Sequence, residues 1–358
     1  MSSTALLDAK RDRAAWREAL EEIPVAFRDV YADPEYVQCY ATGPRNRAML
    51  FVYRRSGQVW IYPFLLRPIR AIGSTEIDGG YCDIETPYGY GGPIGSSLEA
   101  DFVASAMDAF SEWCQSVRVV AEFIRVHPIL KTQRFLDARV ELIFDRETVS
   151  LDLKKVSAEK LPFDKKTQYM LRRAEKLDVK VDVSPSPDDF EQFQRLYKSA
   201  MSRKEAGEFY RFDSDYFECL RGLVSQGGFL LGAMSNDGRL VAGSVFLVAA
   251  ELLHYHLAAS DPAERLPGIS NLLLLKAALV GKERGLNRLH LGGGVTQAPQ
   301  DSLLRFKRTM ATDSHSFFVG RRIHLPAAYE EMRAVWEAEY PALSSSYGER
   351  ILFYRYSE

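Results

Sequence analysis

The stretch of this chain richest in possible chemistry is R-x-x-G-x-S, spelled by Arg265, Gly268 and Ser270 directly before Asn271. An alternating apolar run precedes it (Leu252 to Ser260), a Pro- and Gly-containing turn carries it, and a long apolar-periodic segment follows, NLLLLKAALVGKERG. Alternation, breaker, helical spacing and a second strand-like run ending in three glycines (LNRLHLGGG) describe a β-loop-α-β unit. The backbone N–H groups of the helix's first turn have no intrahelical acceptor. With the positive end of the helix dipole and a guanidinium beside them, they form a cradle for a pyrophosphate or phosphodiester. The same residues also fit an ordinary helix start, with Ser270 as cap and Gly268 as turn.

Other candidates are more dispersed. His254 and His256 stand i,i+2 on the strand before the cradle and so share a face. With no third ligand in view, no metal is expected; His256 is instead a candidate beside a reacting carbonyl, or a packed core histidine. Asp78 to Gly95, DGGYCDIETPYGYGGPIG, holds six glycines, two prolines and three tyrosines. That composition predicts a loop that lets a ligand approach the backbone, or a connector whose tyrosines pack. Lys165, Lys166, Arg172, Arg173 and Lys176 recur on a helical segment. Such a basic face is either solvated or contacts phosphate or RNA. No Ser-His-Asp or Cys-His order with a nucleophile elbow is present, so direct transfer is expected over a covalent enzyme intermediate.

The 358 residues suit two domains, and 46% apolar with 26% charged residues fits a globular protein. A net charge of −2 argues against a broad nucleic-acid footprint, and no DNA partner is expected. Four scattered cysteines without a C-x-x-C pair read as reduced thiols. The N-terminal MSSTALLDAKRDRAAWREALEE is charged and helical in pattern, unlike a signal peptide, and no run reaches the ~20 apolar residues of a membrane span. The expected address is cytoplasmic, with peripheral membrane contact left open.

To position these groups, the sequence predicts a helix over Ala14 to Glu22 and a strand pair, Ala48 to Arg54 with Val59 to Ile69, turning at Ser56 and Gly57. The glycine-rich loop, a helix over Leu98 to Val117 and a strand from Ala121 follow, then a strand pair at Val140 to Phe144 and Thr148 to Leu153. After the basic segment come helices over Asp188 to Ala206 and from Asp215, and a hairpin around Asn236 to Gly238. The cradle unit, a short helix DSLLRFKRTM, a strand HSFFVGRRI, a helix AAYEEMRAVWEAEY and a last strand Ile351 to Tyr356 complete the second half.

This order, with R-x-x-G-x-S between strand and helix, resembles the GNAT superfamily of N-acetyltransferases, whose Q/R-x-x-G-x-G/A motif holds the pyrophosphate of coenzyme A. Arg265 and Gly268 match; Ser270 departs from the small apolar residue. More specifically the chain is similar to the FemABX group, tandem versions of the fold that transfer amino acids from aminoacyl-tRNA onto peptidoglycan precursors. YPFLLRPI, DIETPYGYGGP, MSRKEAGEFYRF and HLGGG with DSLLRFK carry that resemblance. It implies an α+β protein of two GNAT-like domains, each a mixed, mostly antiparallel sheet flanked by helices: 1–155, a basic connection 156–184, and 185–358. The family's ligands occupy the cleft where its two domains face each other.

Carried over, Arg67, Asp83, Tyr88, Tyr90, Gly91 and Arg203 would bind the acceptor, while Arg265, Gly268, Ser270 and Asn271 would hold the donor's phosphates. Lys307 sits where this group carries a positive charge near the reacting ester, and would stabilise a developing oxyanion; a solvated lysine in an RFKR run is the plainer alternative. Glu208, Tyr210, Asp83 and Glu85 are candidates to take the amine's proton. The implied activity is N-acyl transfer to an amine of a cell-envelope, sugar or peptide precursor, soluble or lipid-linked, with acyl-CoA as donor. A Fem-type aminoacyl-tRNA-dependent transferase and a non-catalytic binding module are the competing expectations.

Overall fold

The structure, a computed structural model, describes residues 2–43, 45–157, 161–184, 187–203 and 212–357. In chain order its strands are β1 (Ser2–Asp8), β2 (Arg47–Arg55), β3 (Gln58–Pro68), the short β4 (Ala71–Ile72) and β5 (Thr75–Glu76), β6 (Cys82–Glu85), β7 (Ile94–Gly95), β8 (Val119–Arg125), β9 (Glu141–Asp152), β10 (Val179–Ser184), β11 (Phe229–Ser235), β12 (Leu240–Ala249), β13 (Leu252–Ser260), β14 (Arg288–Gly293) and β15 (Asp313–Ile323). The main helices are α1 (Arg13–Glu21), α2 (Pro34–Cys39), α3 (Ala100–Ser116), α4 (Lys165–Ala174), α5 (Pro187–Arg203), α6 (Ser214–Ser225), α7 (Ile269–Glu283), α8 (Ser302–Thr309) and α9 (Pro326–Glu339).

Two compact units emerge: Met1–Asp145 with Phe317–Glu358, and Arg146–Ser316. This differs from the division expected at 155 and 185, because the segment from Phe317 onward folds with the first unit. Val319 to Ile323 of β15 pair antiparallel with β8, and Trp336 and Phe353 join Ile69, Val120 and Ala121 in one apolar cluster. Each unit is a mixed, mostly antiparallel sheet flanked by helices.

In the first unit the ladder runs β1-β2-β3-β6-β8-β15, with β6 and β8 parallel. The β2–β3 hairpin turns at Ser56 and Gly57, both at positive φ (52 and 78), the pair of left-handed residues that matches strand twist. Phe102, Ala106, Phe110 and Cys114 of α3 recur at helical spacing and press onto Phe51, Trp60 and Phe64. In the second unit the order is β9-β14-β13-β12-β11-β10, and only β13 and β14 run parallel. Leu272 to Leu275, Ala277 and Ala278 of α7 are buried against that sheet.

Four local expectations change. Ser2–Asp8, read as helical, is an edge strand registered on β2. Cys82–Glu85, read as loop, is a short strand between β3 and β8. The two strands expected at 140–153 are one twelve-residue strand. The final strand expected at Ile351 to Tyr356 is a turn with a single 3-10 turn, Phe353–Arg355, its apolar residues buried by clustering and not by sheet pairing.

Candidate active site

In the second unit β13 and β14 pair over three residues only, Leu252 to His254 against Arg288 to His290. Beyond that point β13 stays registered on β12 up to Ser260, and β14 on β9 up to Gly293. Register shifts at Val245/Phe246 and at His290/Gly292 bend the two legs apart, as bulges do. Lys307 of α8 spans the opening: its Nζ donates to the Gly293 carbonyl on one leg at 2.7 Å and lies 5.8 Å from the Tyr255 ring on the other. The side chain is buried, and burial pushes the ammonium down to about 8. Burial likewise pushes the Tyr255 phenol up to about 12.

Asp301 places α8. Its carboxylate accepts from the N–H groups of Leu303 and Leu304 as N-cap, and from the N–H groups of Val295 and Thr296 and the Thr296 hydroxyl on the preceding turn. Burial opposes its charge, yet the Leu304 and Thr296 donors hold it near 2. Arg146 clamps the same turn through the carbonyls of Gly294 and Val295, both at 3.0 Å. His256 faces the Tyr216 hydroxyl at 2.6 Å, and its enclosure, with His254 beside it, lowers the imidazole to about 3. It is neutral at any physiological pH.

Arg265 is exposed and Asn271 buried, on either side of the α7 start. Gly268 caps the helix at φ 82, and a Cβ there would lie 2.2 Å from the Met170 carbonyl oxygen. Close approach of α4 therefore explains this glycine without a ligand. Ile269 N–H closes a turn on Leu266, while the N–H groups of Ser270 and Asn271 make no hydrogen bond among the described residues. The basic residues of α4 are exposed on the helix that abuts this start.

In the first unit, Arg67 and Asp83 meet each other: Arg67 Nε to Asp83 Oδ1 at 2.9 Å, and Nη1 to Glu85 Oε2 at 2.5 Å. Arg125 holds the other Glu85 oxygen at 2.7 Å and Arg355 the other Asp83 oxygen at 2.7 Å. Burial opposes the charges, but Asp83 and Glu85 raise Arg67, and Arg125 with Arg67 keeps Glu85 below the usual carboxylate range. Tyr88, Tyr90 and Gly91 belong to a separate aromatic group. The Tyr36 hydroxyl donates to the Tyr88 carbonyl at 2.7 Å, Tyr90 packs edge-on to Tyr31, and the Gly91 carbonyl accepts from Thr132 Oγ1 at 2.5 Å. Next to them His127 Nδ1 accepts from the N–H groups of Ile129 and Leu130, so Nε2 carries the proton and donates to Asp29 at 2.5 Å. Glu208, Tyr210 and the side chain of Arg203 lie outside the described residues.

Sequence reading singled out neither Tyr255 nor Asp301. Asp301 carried a signal, an Asp directly before Ser-Leu-Leu at a helix start; Arg355, so far along the chain from Asp83, carried none.

Residues 163–308 match the acetyltransferase (GNAT) domain family. No curated protein matches the chain. The fold is similar to that of FemX, with 15% identity, 92% of this chain and 99% of that chain covered and a TM-score of 0.70. It is also similar to the C-terminal domain of a putative lysylphosphatidylglycerol synthetase from Agrobacterium fabrum, at 16% identity over 90% and 97% of the two chains with a TM-score of 0.55. A tandem GNAT protein from the clavulanic acid biosynthesis pathway is similar at 10% identity over 89% and 98%, TM-score 0.50. Residues 163–308 thus match the acetyltransferase (GNAT) domain family, and the chain shares the fold of FemX along nearly its whole length.

Proposed function

We propose that the protein is an N-acyltransferase that moves an acyl or aminoacyl group from an activated donor onto an amine of a cell-envelope, sugar or peptide precursor. The observation that carries this reading is the opening between β13 and β14 with the buried Lys307 ammonium across it. An acyl carbonyl set between the two strand legs would find a charged donor fixed before reaction, where a developing oxyanion gains most. Arg265 and the N–H groups of Ser270 and Asn271 would hold the donor's phosphates, which suits acyl-CoA. Arg67, Asp83, Tyr88, Tyr90, Gly91 and Arg203 would serve the acceptor, and Glu208 or Tyr210 would take the amine's proton. His256, neutral and engaged with Tyr216, fits a positioning role.

One observation favours aminoacyl-tRNA as the donor instead. The α7 start abuts α4, whose Lys165, Lys166, Arg172 and Arg173 extend the positive surface beyond what a single pyrophosphate needs. Melting the purified protein with acetyl-CoA and with charged tRNA separates the two, since a bound donor raises the transition with the logarithm of its concentration over its Kd. Calorimetric titration of Arg265→Ala tests the cradle. The expected loss is about tenfold or more in donor affinity, and unchanged affinity removes the assignment.

A further inference from the structure

The first unit gathers three guanidiniums around two carboxylates. Arg67 bridges Asp83 and Glu85, Arg125 completes Glu85, and Arg355 completes Asp83. Among the described residues one positive charge is left without a counter-charge in a cluster whose side chains are only 0–30% exposed. Two buried donors agree with this: among the described residues Arg67 Nη2 and the Tyr354 hydroxyl have no hydrogen-bond partner, and the Arg355 guanidinium lies 5.8 Å from the Tyr354 ring. Leaving a buried charge uncompensated and two donors unsatisfied is costly, and such costs persist where a ligand supplies the missing partner.

The carboxylates also do something a simple salt bridge does not. Each fixes a guanidinium plane: Arg125 is held by Glu85, by the Thr86 carbonyl and over the Phe123 ring at 4.8 Å, and Arg355 by Asp83 and the carbonyls of Arg67 and Pro68. Guanidiniums held in place in this way bind oxyanions with little ordering cost. Arg355 is the most exposed of the three guanidiniums at 30%, against 18% for Arg67 and 15% for Arg125.

We infer that Arg67, Arg125, Arg355 and Tyr354 form a binding site for an oxyanion, a carboxylate or a phosphate, carried by the acceptor. The inference deepens the acyltransferase reading by giving its acceptor a negatively charged group at this site, and it rests on that reading only for what carries the anion.

The test uses the full chain without donor, titrated calorimetrically with inorganic phosphate and, separately, with acetate at constant ionic strength. Saturable binding of at least one probe is expected. In an Arg265→Ala background, which takes the proposed donor cradle out of the titration, it should weaken at least tenfold in Arg355→Gln and measurably in Tyr354→Phe, which keeps the ring. A phosphate preference assigns a phosphoryl group and an acetate preference a carboxylate. Absence of saturable binding overturns the site, as does wild-type affinity in both Arg355→Gln and Tyr354→Phe with unchanged melting. A chain that binds phosphate through Arg355 but ignores acetyl-CoA and charged tRNA keeps this site and removes the acyltransferase reading.

Discussion

At the scale of single residues, the protein keeps a lysine charged where burial opposes it. Lys307 drops from 10.5 to about 8, a difference of about 2.5; at ~1.4 kcal/mol for each tenfold the charged form is held at a cost of about 3–4 kcal/mol. The unfolded chain therefore binds more protons than the folded one between pH 8 and 10.5. Stability should rise with pH across that window, and below pH 8 the whole cost is in force. Lys307→Met removes the charge and loses the 2.7 Å bond to Gly293, so its net effect at pH 7 is a gain of about 1–3 kcal/mol in urea unfolding. On the proposed function the same variant loses transfer, and wild-type transfer falls as pH rises through 8. A lysine kept only for structure would show a loss of stability on replacement and no such pH limb.

At the scale of elements, two contacts position helices of the second unit, and each can be broken alone. Gly268→Ala adds a Cβ 2.2 Å from the Met170 carbonyl at a left-handed φ of 82, so α7 must retreat from α4. A loss of about 2–4 kcal/mol is expected in chemical denaturation. Asp301→Ala removes the α8 cap and the donors' acceptor on the 293–296 turn together, and should cost about 1–2 kcal/mol at pH 7. Because the folded carboxyl is depressed from 3.8 to about 2, this contribution is present above pH 3.8 and is lost as pH falls through 2. The variant's deficit should shrink in acid, which a melting series from pH 7 to pH 2 would show.

These elements were also the most legible in the sequence. The Leu252–Ser260 alternation, the α7 period and the Asn236 to Gly238 turn are local signals, and the structure has each of them. β1 was missed because a short edge strand that is mostly exposed carries no alternation to read. Ile351 to Tyr356 has strand composition, yet its residues are buried by a cluster around Trp336 that no local pattern announces. The candidate site residues divide in the same way. Lys307 and the cradle lie within one contiguous stretch and could be named, whereas the pairing of Arg67 with Asp83 and Arg355 joins β3, β6 and the chain's last residues, a proximity only the fold creates.

At the scale of the whole molecule, the second unit is an insertion in the sequence of the first, since Arg146–Ser316 interrupts Met1–Asp145 and Phe317–Glu358. Ending the chain after Ser316 would strip β8 of its β15 partner from Val319 to Ile323 and remove Trp336, Phe353 and Tyr329 from the cluster that covers Ile69, Val120 and Ala121. Loss of three large buried aromatics at about 3–5 kcal/mol each exceeds the stability of most domains. Residues 1–316 should therefore retain the second unit and not the first. Two-dimensional amide spectra would show dispersed resonances for Phe229–Ser235 and Leu240–Ala249 together with collapsed ones for Arg47–Arg55 and Gln58–Pro68. Had the chain instead divided into consecutive domains near 155 and 185, the same truncation would leave the first unit's resonances in place and disrupt the second's, so one spectrum decides between the two organisations.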